Sequence, residues 1–153
     1  MPFRFRFKSL LQQREHVYEE AQVTLARARQ ELAGLLDYRS RLQERMARQE
    51  KWLEEQAAQG IPASRYLAFR DACRILEQEL LKVEEEIREA DRKAREAQDG
   101  LLESRKDLKK IQFLEDKDRM LYRKEELKRE QVRMDEIAVS RKSGESHGSK
   151  DTT

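Results

Sequence analysis

Residues able to do chemistry are sparse in this chain. His16 and His147 are its histidines and Cys73 is its single cysteine. Two imidazoles far apart in sequence and one thiol cannot assemble a His-rich metal site, which needs several such ligands at close spacing. Carboxylates are abundant, as in Glu84-Glu85-Glu86, but a run of this kind on an exposed helix reads as a solvated face. The tail segment Gly144-Glu-Ser-His-Gly-Ser-Lys150 superficially suggests a phosphate loop. It lacks both the Gly-Lys-[Ser/Thr] order and a preceding strand. Cys73 falls on an apolar stripe, where a small buried hydrophobe is its expected role. The opening Phe3-Arg-Phe-Arg-Phe7 alternates with period two. It would suit an edge strand, a membrane-surface anchor or a base-stacking platform. A simpler reading has the phenylalanines stapling the start of a helix, with Ser9 as candidate cap. No catalytic constellation, cofactor or metal site is expected, and the chain is not read as an enzyme.

Composition points to the elements that carry this surface. Of 153 residues, 42% are charged and 37% hydrophobic, with two prolines and five glycines. Charged side chains are rarely fully buried, so the chain cannot build a thick core. Its abundant Glu, Lys, Arg, Ala and Leu are strong helix formers, because their unbranched side chains lose little rotamer freedom in a helix. The 33 basic and 31 acidic residues leave a net charge of +2. Such intermixed charge gives no broad field to attract nucleic acid or anionic membrane. A lone cysteine fits a reducing compartment, and no apolar run approaches the ~20 residues needed to cross a bilayer. A soluble, cytoplasmic protein is expected.

Alternating steps of three and four residues reveal two seams. From Leu11 to Leu53, ten of thirteen positions are apolar, the exceptions being Arg14, Arg39 and Gln49. From Tyr66 to Ile111, thirteen of fourteen are apolar, the exception being Ser104. Between the two lie Gly60 and Pro62. Glycine ends a helix through a positive φ, and proline suits the first turn of the next. The expected fold is all-α, a long two-helix antiparallel coiled-coil hairpin with the second helix longer than the first. Helix one should cover about 8–58, the turn about 59–63 and helix two about 64–138, as a single domain over 1–139. At ~1.5 Å per residue these are rods of about 75 and about 110 Å. Folding about residue 61 leaves helix two beyond about 118 without a partner from helix one, and residues 140–153 are expected to be disordered.

The chain resembles the flagellar export protein FliJ family. The likeness lies in Phe3-Arg-Phe-Arg-Phe-Lys-Ser-Leu10-Leu11, then Arg14-Glu15 and Ala21, Leu25 and Ala28. It recurs in Tyr122-Arg-Lys-Glu125-Glu126, Glu130-Gln131 and Asp135-Glu136-Ile137-Ala138. The resemblance implies a non-enzymatic component of the bacterial flagellar type III export apparatus. It would be cytoplasmic, at the inner-membrane face of the flagellar base, and would act as a stalk or adaptor. The implied partners are the hexameric export ATPase, the cytoplasmic domain of the export-gate membrane protein, and export chaperones.

On this reading the free chain is a monomer, binds no nucleic acid and does not span the membrane. The open end of the hairpin, with Arg119, Leu121, Tyr122, Arg123, Arg129 and Arg133, is the candidate ATPase-ring contact. By the resemblance, Tyr38, Leu42, Ala72 and Leu76 fall where the family's gate-binding surface lies. Leu42 and Leu76 are also seam positions, for which core packing is the stronger reading. Helix one departs from the family pattern by about one extra heptad before the turn. A generic coiled-coil scaffold, or an injectisome stalk, is the alternative function.

Overall fold

The computed structural model describes residues 1–148. It contains two helices, α1 (Lys8–Gln59, 52 residues) and α2 (Ala63–Gly148, 86 residues). They form an all-α hairpin whose second arm is the longer. Gly60 sits at φ 83° and its N–H donates to the Ala57 carbonyl at 3.2 Å, the geometry that only glycine adopts without strain. The Pro62 carbonyl accepts from the N–H groups of Arg65 and Tyr66 at 3.0 and 3.1 Å, opening α2. The turn is where composition placed it, within one residue at each boundary.

The chain divides into two units, His16–Arg105 and a second made of Met1–Glu15 with the chain from Lys106 onward. Within His16–Arg105, Leu42, Leu76 and Val83 form a buried cluster with Met46, Leu80 and Ile87 against it. Leu25, Leu53 and Ala90 are buried as well. Two of the polar seam positions are satisfied in place. The Cys73 thiol donates to Gln49 Oε1 at 3.9 Å, and the buried Ser104 hydroxyl donates to the Leu101 carbonyl at 2.9 Å. An added Cβ at Gly34 or Gly100 meets nothing within 4 Å, so neither glycine is needed for a close helix approach.

The unit built from the two ends of the chain differs in character. Leu108 and Phe5 are buried, Leu11 and Ile111 half-buried. Beyond Ile111 the half-buried row on α2 continues through Glu115, Asp118, Tyr122 and Glu126. The register therefore persists where the apolar residues leave it, and Leu114 and Leu121 are exposed.

One cap and one boundary correct the sequence reading. Ser9 already lies inside α1, and the Phe7 carbonyl accepts from the Leu11 N–H at 2.9 Å as the first helical bond. The second helix continues past 138 to Gly148, through most of the segment expected to be disordered. Serine competes with helical backbone when its hydroxyl bonds elsewhere. Here Ser140, Ser143 and Ser146 each donate to the carbonyl three residues earlier, at 2.9–3.1 Å, and so accommodate the helix. Residues 149–153 of the expected tail lie outside the described residues.

The ion pairs among the described residues are all i,i+3 or i,i+4 within one helix. Exposed pairs of this kind steady only the helix that holds them, and weakly, because solvent screens them, and they add nothing to pairing between helices. Apolar burial joins the arms. Leu42→Ala should therefore lower unfolding stability by about 2–4 kcal/mol in urea denaturation. Gly60→Ala should cost about 1 kcal/mol through its positive φ, whereas Gly100→Ala should add about 0.5–1 kcal/mol; the opposite signs are read in the same experiment.

Candidate functional site

The open end of the hairpin is assembled around the first seven residues. Phe3 stacks at a tilt on Tyr122 with ring centroids 5.5 Å apart, and the Tyr122 hydroxyl donates to the Met1 carbonyl. The Arg119 guanidinium lies over the Phe3 ring at 5.1 Å and pairs with Glu115 at 3.0 Å. Phe5 is buried and meets Phe7 edge-on at 5.9 Å. The period-two alternation thus turns Phe3 and Phe5 inward and leaves Arg4 and Arg6 exposed. Phe3 is thereby fastened to α2, while Phe5 is buried ahead of the start of α1. Desolvation under this segment, with the nearby Glu126 carboxylate second, raises the Tyr122 pKa above the ordinary phenol value.

Of the six residues expected at this end, the structure brings Arg119 and Tyr122 together under the N-terminal segment. Arg123 and Arg133 are exposed, and Arg129 pairs with Glu126 at 4.0 Å. Leu121 is half in solvent, at 52% exposure. It belongs to a different face from Tyr122, because successive helical residues are about 100° apart. From Leu127 to Ser146 every residue is exposed.

The second group separates into core and surface. Leu42 and Leu76, at 4% and 6% exposure, are two members of the buried cluster and offer no surface to a partner. Tyr38 and Ala72 are exposed. The Tyr38 hydroxyl donates across the helix pair to Glu79 Oε1, and this bond is the main cause of its raised pKa.

Sequence reasoning passed over Trp52. It stands 41% exposed beside the turn and meets Phe69 edge-on at 4.2 Å. Arg45, Arg48, Gln49 and Cys73 complete an open groove of about 270 Å³ around the two rings. The available signal was the chain's one tryptophan lying a single residue off the seam position Leu53.

Among the described residues no cluster of His, Cys, Asp or Glu has the form of a metal site, and no helix is long and apolar enough to cross a membrane. What the arrangement offers chemically is contact surface of two kinds, arginine beside aromatic at the open end and aromatic groove beside the turn. Comparison with curated proteins and with solved structures finds no match for the chain. A family model described as flagellar FliJ protein matches residues 3–146. With nearly its whole length matched, the chain belongs to the flagellar FliJ family and is a component of the flagellar export apparatus.

Proposed function

We propose that this protein is a non-enzymatic stalk or adaptor of the flagellar type III export apparatus. Its open end would engage the hexameric export ATPase, and the same protein would bind the cytoplasmic domain of the export gate and hand on export chaperones. The observation that carries this reading is the unpartnered part of α2, exposed at every residue from Leu127 to Ser146. An isolated helix is marginal in water, so a helix of this kind is suited to an external partner. Family membership names the apparatus in which that partner is to be found.

On the ATPase, Arg119, Arg123, Arg129 and Arg133 face acidic ring residues while Tyr122, already ordered by Phe3, supplies an apolar contact. Arginine suits this role because its planar, permanently charged guanidinium pairs bidentately with carboxylates. On the gate side Tyr38 and Ala72 are the contact residues. Leu42 and Leu76 act through them by fixing the helices beneath.

Replacing Arg119, Arg123 and Arg129 together by alanine should raise the concentration of this protein needed for half-maximal ATPase stimulation by about tenfold. The residual stimulation should be less sensitive to salt, and unaltered stimulation would remove the open end from the ATPase. For the gate, a pull-down of its cytoplasmic domain should fail with a Tyr38→Ala, Ala72→Glu double variant; full retention takes both residues off that surface.

A further inference from the structure

Between Lys106 and Lys128 one face of α2 carries lysine and apolar side chains and no acid. At about 100° per residue, the residues that project within an arc of about 140° opposite the half-buried row of Ile111, Glu115 and Tyr122 are of two kinds. Six are lysines, at 106, 109, 110, 117, 124 and 128, all exposed. Five are apolar, Phe113, Leu114, Met120, Leu121 and Leu127, at 39–68% exposure. Every Asp and Glu of the segment falls outside the arc, as do Arg119 and Arg123.

The arrangement within the arc identifies what it fits. Phe113, Met120 and Leu127 follow one another at seven-residue intervals and form one ridge, while Leu114 and Leu121 form another. Lys110, Lys117 and Lys124 run between the ridges. A partner helix wants one continuous apolar stripe with charges at its margins, and seated here it would bury the lysine row. A base-reading surface would use arginine or amide side chains and several aromatics, and the arc holds one phenylalanine. A flat anionic surface satisfies every member at once. Each flexible lysine stem lifts its ammonium to the phosphate plane, while the two ridges enter the headgroup boundary beside it. We propose that this face of α2 docks on an anionic lipid bilayer surface, lying along it without crossing it.

The face includes none of the arginines assigned to the ATPase and shares only Leu121 with the residues expected there, so the lysine and arginine variants tell the two readings apart. The test is co-sedimentation of the full chain with vesicles of phosphatidylcholine alone or mixed with phosphatidylglycerol. Binding is expected only to the mixed vesicles and should weaken with salt. Lys110→Gln, Lys117→Gln and Lys124→Gln combined should weaken it about a hundredfold. Phe113→Ser, Met120→Ser and Leu127→Ser combined should weaken it at least about tenfold even at low salt. Helicity should be retained in both, since all six positions are exposed. Equal binding to neutral vesicles, no binding to anionic ones, or lysine variants that bind like the parent would overturn the proposal. So would lysine-dependent binding to an oligonucleotide, or a stable dimer abolished by Leu127→Ser, in the absence of vesicle binding.

Discussion

Everything in this molecule depends on one narrow contact, the row of side chains that each helix presents at alternating steps of three and four residues. A chain with 42% charged residues leaves its other large apolar side chains exposed rather than buried between the helices, and among the described residues no ion pair joins one helix to the other. Beside the row, the Tyr38 hydroxyl bonds to Glu79 and Trp52 meets Phe69 across the helix pair. The row's polar members are instructive. Ser104 is tolerated because its hydroxyl bonds within its own helix, and Cys73 and Gln49 because each meets the other. A buried polar group with a partner costs little, whereas one without costs the full desolvation penalty.

The same constraint explains the N-terminal segment. Past Ile111 the row on α2 turns to Glu115, Asp118, Tyr122 and Glu126, a sequence that a second amphipathic helix would cover badly. A short non-helical segment bearing alternating phenylalanine and arginine covers it well. Phe3 lies against Tyr122, Arg4 shares a groove with Glu115 and Arg119, and the backbone at Met1 accepts the Tyr122 hydroxyl. The segment read from sequence as a local staple thus meets the start of the overhang, through Tyr122 and Arg119. Its period-two pattern was visible, but the surface awaiting it could be recognised only once the half-buried row was seen to continue in polar residues.

Much of the fold was legible because coiled-coil pairing is written in spacing. All thirteen positions from Leu11 to Leu53, and all fourteen from Tyr66 to Ile111, are buried or half-buried, polar exceptions included. The glycine–proline turn was equally clear, since few sequences supply a positive φ followed by a fixed one. The end of α2 was not. A Ser- and Gly-rich composition suggests disorder, yet helical hydrogen bonds are local, and three serine hydroxyls bond in a way that continues the helix. Among the site residues, Leu42 and Leu76 were already marked by their seam register as core. Trp52 escaped notice because it lies one step off the seam, where neither rule of burial nor rule of charge singles it out.

Net charge also concealed what position reveals. A total of +2 averages acids and bases that the helix then sorts by angle. Between Lys106 and Lys128 the acids all fall outside the arc in which the lysines gather with exposed Phe113, Met120 and Leu127. Arginine and lysine are sorted as well, Arg119 beside the aromatic N-terminal segment and the lysines among apolar ridges. The two cations differ in what they recognise, a planar fork for carboxylates and a mobile point charge for a diffuse anionic plane. On the proposed reading a single helix offers different faces to two partners, provided that one row is committed to holding the helix in place. That row is the seam, and the freedom of the remaining surface follows from how little of the chain the seam consumes.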